Sequence, residues 1–142
     1  MAITPIKPFY TTSVRVEGGR SGTAVSDDGV LNLKLKSPGA AGDPDATNPE
    51  QLFAAGWGAC YQSALMSVAR EAGLDASASE VTVDVSLGKE GGDGPYSLAA
   101  RIVVAIPGLE PEQVRELADA AHQRCPYSRA TRDNIEVTVE TA

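Results

Sequence analysis

The chain divides by the period of its apolar residues. Val14 and Val16, and then Leu31, Leu33 and Leu35, alternate with polar neighbours, the period of a strand with one buried face. Gly18-Gly19-Arg20-Ser21-Gly22 between the two sets predicts a loop or hairpin, and Asp27-Asp28-Gly29 a second turn. The stretch from Ser37 to Thr47, rich in Pro, Gly and Asp, is long enough to wrap across another surface. Beyond it the period changes. Asn48 suits an N-cap, Pro49 the first helical position and Gln51 a capping box, so a helix is predicted from here to near Gly73. Residues 52–68 carry little charge and many small side chains, the composition of a central helix buried nearly all round.

Val81, Val83, Val85 and Leu87 alternate again. After a turn at Gly91-Gly92-Asp93-Gly94-Pro95, Leu98, Ala100, Ile102, Val104 and Ile106 supply a partner strand. Pro111 opens a second helix whose apolar stripe, Val114, Leu117, Ala118 and Ala121, continues four residues on to Cys125. That thiol is therefore predicted to face inward. Pro126 disfavours helical geometry at the residue before it and ends the helix there. Ile135, Val137 and Val139 mark a last strand. Strands, helix, strands, helix and strand, joined by hairpin-length turns, predict an α+β fold built on antiparallel pairings, with residues 1–142 as a single domain.

Composition narrows the function. A chain of 142 residues with 42% apolar content has enough material for one core. The net charge of −7 argues against nucleic acid and against an anionic membrane surface as partners. The start of the chain lacks the apolar stretch of a signal peptide and no segment approaches the length of a membrane span, so a cytoplasmic location is expected. Thiols are kept reduced there, which disfavours a permanent disulfide staple. Two cysteines and one histidine fall short of a four-ligand zinc site, and no metal or other cofactor is expected.

The two cysteines carry the remaining chemistry. Cys60 lies in Ala54-Ala55-Gly56-Trp57-Gly58-Ala59-Cys60-Tyr61, and Cys125 in His122-Gln123-Arg124-Cys125-Pro126-Tyr127-Ser128. A staple, two inert core thiols and a redox couple are the three roles open to such a pair. An unperturbed thiol is only about a few per cent thiolate at neutral pH, so a catalytic Cys60 needs a positive partner. Arg20, at the tip of the Gly-rich loop, is the better candidate, with Glu50 to hold it; His122 reads as a satisfied or partly exposed side chain. In a straight helix the stretch from residue 50 to residue 60 rises roughly 15 Å. Gly56-Trp57-Gly58 offers a break that would shorten this span and set Cys60 near a fresh helix N-terminus. Phe53, Trp57 and Tyr127 are expected as walls of a pocket. Its apolar character favours a substrate with a hydrocarbon tail, at about 0.8 kcal/mol per buried methylene.

Asn-Pro-Glu-Gln-Leu, then Ala-Ala-Gly-Trp-Gly-Ala-Cys-Tyr, with His-Gln-Arg-Cys-Pro-Tyr-Ser-Arg-Ala-Thr-Arg downstream, resembles the organic hydroperoxide resistance family, a branch of the group named for osmotically inducible protein C. The resemblance covers essentially the whole chain, including Gly18-Gly19-Arg20 and the closing strand. It implies an intertwined homodimer, with sheets wrapped around central helices. Cys60 would be the peroxidatic cysteine, whose thiolate attacks the O–O bond of an organic or lipid hydroperoxide and becomes a sulfenic acid. Cys125 would be the resolving cysteine, and Arg20 and Glu50 the pair that activates the thiolate. The disulfide would be recycled by dithiols, with lipoylated proteins as the favoured donors. The family more often has Tyr and Ala where this chain has Trp57 and Gly58, a difference that bears on pocket shape. Three rival readings accompany this one. They are a general peroxide-stress enzyme of the sister branch, a non-catalytic carrier of small apolar ligands, and a general disulfide oxidoreductase, the last disfavoured by the lack of Cys-x-x-Cys.

Overall fold

The computed structural model describes residues 2–142, which form two compact units, one ending at Pro49 and the other spanning Glu50–Ala142. The first holds a meander of three short antiparallel strands, β1 (Val14–Glu17), β2 (Thr23–Ser26) and β3 (Asn32–Lys34). A single 3-10 turn, Gly19–Ser21, joins β1 to β2 and carries Arg20; Gly18 and Gly19 enter it with φ of 79° and 57°, which glycine adopts without a Cβ clash. The stretch after β3 doubles back on its own unit. The Thr47 N–H donates to the Lys34 carbonyl and the Lys36 N–H to the Thr47 carbonyl, each at 2.9 Å. The alternation at Val14 and Val16 does not produce a buried face in this chain. Both residues are exposed, and Ala24 and Leu35 are the buried apolar residues of the unit. Three strands of three or four residues have too little area to cover one.

The second unit contains α1 (Pro49–Glu71), the hairpin β4 (Glu80–Lys89) and β5 (Tyr96–Ala105), α2 (Pro111–Arg124), α3 (Pro126–Thr131) and β6 (Glu136–Thr141). The hairpin pairs as its alternation predicts, with Val81 opposite Val104 and Val83 opposite Ile102. Ala100, Ile102 and Val104 share a core with Trp57, Tyr61, Leu65 and Val68 of α1 and with Val114, Leu117, Ala118 and Ala121 of α2. The α2 residues are the predicted stripe. Across the outer face of the sheet, Arg101 donates to Asp84 at 3.2 Å and to Glu140 at 2.7 Å, one guanidinium tying three strands.

The α+β class is as expected, with two differences in detail. β6 pairs with β5 in parallel, Val137 opposite Ala100 and Val139 opposite Ile102. A parallel pair needs a crossover, which α2 and α3 supply. Alternation sets which face of a strand is buried and leaves its direction open. The second difference is that α1 runs unbroken for 23 residues through Gly56-Trp57-Gly58. It is also not buried all round: Trp57, Tyr61, Ala64, Leu65, Val68 and Ala69 form the buried stripe, while Ala55, Ala59, Ser63 and Met66 are exposed. Among the described residues, no helix is long and apolar enough to cross a membrane.

The two glycines serve packing differently. A Cβ on Gly56 would lie 2.8 Å from the Tyr127 hydroxyl, whereas one on Gly58 would meet Val83 Cγ2 at an ordinary 3.5 Å. Gly58→Ala should therefore recover helix propensity and raise stability by about 0.5–1 kcal/mol. Gly56→Ala must displace the tyrosine and should be less stable than Gly58→Ala by about 1 kcal/mol or more. Urea unfolding midpoints of the two variants check both values; equal midpoints would show that the tyrosine does not need the glycine.

Candidate active site

The site grows from one flank of α1. Phe53, Gly56 and Cys60 follow at helical spacing and form a row beside the buried stripe. Opposite this row stands the elbow between α2 and α3. Cys125 is the elbow residue: its N–H donates to the Ala121 carbonyl at 2.8 Å and closes α2, and its carbonyl accepts the Arg129 N–H at 2.9 Å and opens α3. Its φ of −60° and ψ of 125° turn the chain between the two helices. Pro126 forces the extended ψ and begins α3 at a position where the missing N–H costs nothing. The predicted stop at Cys125 is thus observed; the short helix that follows it is not foreseen by any apolar period.

Tyr127 lies along the row. Its ring meets the Phe53 ring edge-on at 6.2 Å, its hydroxyl rests on Gly56, and its backbone N–H is near enough to favour the Cys60 thiolate. Phe53 in turn meets Trp57 edge-on at 5.5 Å. Such aromatic pairs contribute about 0.5–1.5 kcal/mol each beyond their buried area. Trp57 is fully buried behind Phe53, and Tyr127 keeps 38% of its surface exposed.

Cys60 and Cys125 are free thiols, near enough for Cys125 to act on the ionisation of Cys60. They differ in access: Cys60 is half-buried and Cys125 has no exposed surface. Burial pushes the Cys60 thiol up from its ordinary value, and Cys125 adds to this through its charge and its hydrogen bond. The Tyr127 N–H pulls the other way. A continuous α1 leaves Cys60 in mid-helix, so no helix N-terminus assists it and the dipole argument drawn from a break at Gly56 does not hold.

The elbow is tied down by polar contacts that sequence reasoning missed. The Trp57 indole N–H donates to the Ser128 hydroxyl at 3.1 Å, and Ser128 Oγ lies 2.9 Å from His122 Nδ1. Arg132 donates to the His122 carbonyl at 2.6 Å. His122 is therefore a satisfied side chain, held below its ordinary pKa by burial and by Arg132, with Asp119 opposing. Ser128 is fully buried at helical spacing from Cys125, and nothing in the sequence sets it apart from a surface serine. Next to Cys60, Tyr61 clamps α1 to α2 by donating to the Ala118 carbonyl at 2.6 Å, and burial pushes its hydroxyl up.

Of the expected site residues, Cys60, Cys125, Phe53, Trp57 and Tyr127 are gathered in the second unit. Glu50 is in the first turn of α1 and Arg20 in the 3-10 turn of the first unit. Among the described residues, no group of three or more His, Cys, Asp and Glu side chains is arranged to hold a metal ion.

The family model described as OsmC-like protein matches residues 42–140. The organic hydroperoxide resistance protein of Xanthomonas axonopodis pv. citri (strain 306) is 44% identical over 142 residues, spanning 98% of this chain and 99% of the relative. The crystal structure of the organic hydroperoxide resistance protein OhrB of Bacillus subtilis has a TM-score of 0.89 at 44% identity, over 95% of this chain and all of that one. A putative organic hydroperoxide resistance protein of Vibrio cholerae O1 biovar eltor str. N16961, solved with captopril bound in one of its active sites, has a TM-score of 0.87 at 41% identity over 97% and 95% of the two chains.

Cys125 raises the Cys60 pKa in the resting pair, so Cys125→Ala should lower it. A titration of thiolate absorbance against pH, with Cys60→Ser as the blank, should show the ionisation of Cys60 moved to lower pH in the variant. An unmoved or higher value would mean that the neighbouring thiol is not what holds Cys60 protonated.

Proposed function

The chain belongs to the OsmC-like protein family, in its organic hydroperoxide resistance branch, and on that premise we propose that it is a thiol-dependent peroxidase that reduces organic hydroperoxides, lipid-derived ones included, to alcohols. The observation that carries this reading is the proximity of a half-buried thiol to a fully buried one that acts on its ionisation. The Cys60 thiolate attacks the distal oxygen of R–O–O–H. The O–O bond breaks, R–O⁻ takes a proton and leaves as the alcohol, and Cys60 is oxidised to a sulfenic acid. The Cys125 thiol then attacks the sulfenic sulfur, the S–O bond breaks, and hydroxide leaves with the thiol proton as water. A dithiol, for which we propose a lipoylated protein, reduces the Cys60–Cys125 disulfide and is itself oxidised to a disulfide.

Each remaining residue has a role in this scheme. Since burial and Cys125 favour the neutral thiol at Cys60, the chemistry needs a cation during attack. We assign that task to Arg20, whose charge survives desolvation, and the holding of Arg20 to Glu50. Phe53 and Tyr127 form the apolar wall for the substrate tail, with Trp57 backing Phe53. No other cofactor is assigned. A reducing compartment, the cytoplasm, suits free thiols. A homodimer is supported by two unpartnered apolar surfaces: Ala55, Ala59 and Met66 on α1, and Ile3, Ile6, Phe9, Val14 and Val16 in the first unit. The single domain would then be completed by its second copy.

Steady-state turnover of cumene hydroperoxide and of hydrogen peroxide, with dihydrolipoamide as reductant, tests the activity. The expected result is fast turnover biased to the organic substrate. It should be abolished by Cys60→Ser and reduced by about 100-fold or more by Arg20→Ala, the size of losing a charged group that stabilises the reacting state. Equal rates for both peroxides would instead indicate the general peroxide-stress reading, and unchanged thiols after peroxide would indicate the carrier. Sedimentation velocity should give the mass of two chains, and a charge on the exposed α1 face, Ala59→Glu, should shift the protein toward the monomer. A wild-type monomer at micromolar concentration would remove the dimer.

A further inference from the structure

The first hydrogen bond behind the cysteines has a fixed direction. An indole N–H only donates, so Ser128 Oγ must accept from Trp57 at 3.1 Å. The serine keeps one hydrogen to give, and His122 Nδ1 lies 2.9 Å away. With the imidazole neutral and protonated on Nε2, the chain of donors runs Trp57 to Ser128 to His122. A proton on Nδ1 would reverse the last bond and leave the serine hydrogen without an acceptor in the chain.

The placement of these three residues is as informative as their direction. Trp57 is on α1, one turn before Cys60; His122 is on α2, one turn before Cys125; Ser128 is on α3, one turn after Cys125. The chain therefore straddles the elbow and fastens both of its arms to the helix that carries Cys60. Arg132 secures the far side through the His122 carbonyl. Ser128 itself is fully buried and touches neither thiol by hydrogen bond in this structure, so it has no direct role in attack on peroxide.

We propose that the Trp57–Ser128–His122 chain positions Cys125 against Cys60 and so sets the rate at which the Cys60 sulfenate is resolved to the disulfide, without setting the rate at which Cys60 reacts with peroxide. This rests on the peroxidase reading above. Resolution requires the two sulfurs to close to bonding distance, about 2.05 Å, with a restricted dihedral, a demand that attack on a small diffusing peroxide does not make of Cys125. The groups that face His122 fit a device that holds through neutral pH. Ser128 of α3 and Trp57 behind it are uncharged, Arg132 beyond α3 opposes a second positive charge, and Asp119 of α2 favours one. Burial and Arg132 prevail and keep the imidazole neutral below the ordinary histidine range, so the chain should fail only in acid.

The test separates the two chemical steps in single-turnover experiments on the full chain. Loss of the Cys60 thiol under cumene hydroperoxide reports the first step. Dimedone-trappable sulfenate and its decay to disulfide, by mass spectrometry, report the second. Ser128→Ala, close in volume, should not slow the first step and should slow the second by roughly 10- to 100-fold, the cost of misplacing reacting groups by about an ångström. Sulfenate should accumulate and pass to sulfinic acid under excess peroxide. Trp57→Phe, which keeps an aromatic ring but no donor, should slow the second step likewise. His122→Asn, which keeps an acceptor near Nδ1 but does not titrate, should resolve at the wild-type rate at neutral pH and lose the acid-side fall. Wild-type resolution in Ser128→Ala and Trp57→Phe, or an equal fall in both steps of Ser128→Ala, overturns the proposal. A wild-type protein that forms no sulfenate overturns the peroxidase reading instead.

Discussion

How closely α3 lies against α1 governs the two-thiol site, and that approach depends on the side chain missing at Gly56. The Tyr127 hydroxyl occupies the space a Cβ would take. With the tyrosine seated there, its backbone N–H falls on Cys60 and the residue two before it, Cys125, falls on the same thiol. An alanine at 56 would crowd the tyrosine's hydroxyl end, and a proline at 126 is what gives the elbow its angle. The glycine and the proline therefore act together, though neither carries chemistry.

Close approach has an electrostatic cost. A thiol taken out of water and set against a second thiol is harder to ionise, and the resting pair favours the neutral form. In a site of this kind a reactive thiolate has to be imposed by charge brought to it, because burial alone works against ionisation. The same burial shields Cys125 entirely, leaving Cys60 as the thiol that meets solvent. Under the proposed peroxidase chemistry, this unequal access of two adjacent thiols would set the order, the outer sulfur being oxidised first and the inner one reacting with what has formed.

Much of this was legible in the chain. The β4–β5 hairpin, the α2 stripe and the inward direction of Cys125 follow from period alone, since a side chain four residues beyond Ala121 must continue its row. The break expected at Gly56-Trp57-Gly58 was misread for a definable reason. Glycine in a helix signals either backbone freedom or a need for close approach, and the sequence does not distinguish them; here Gly56 is the second case. The parallel direction of β6 and the existence of α3 lay beyond period for another reason. One depends on how the chain crosses over, and the other spans only six residues, too few for a stripe to repeat. Ser128 was invisible because a buried serine looks like a surface one until its partners, Trp57 and His122, are seen in space.

Cys125 shows why the elbow needs outside support. It closes one helix and opens the next, so its backbone is committed on both sides, yet neither helix end has a side-chain cap from it and α3 is a bare turn and a half. A helix that short has little stability of its own. Its position must come from tertiary contacts, among them the tyrosine against Gly56 and Phe53 and the serine between Trp57 and His122. Both of these reach α1 directly. In the proposed resolution step the cysteine that would move to form a disulfide is thus held by contacts to the helix of its partner, and the segment's low intrinsic stability leaves room for the small displacement that closing a sulfur–sulfur bond requires.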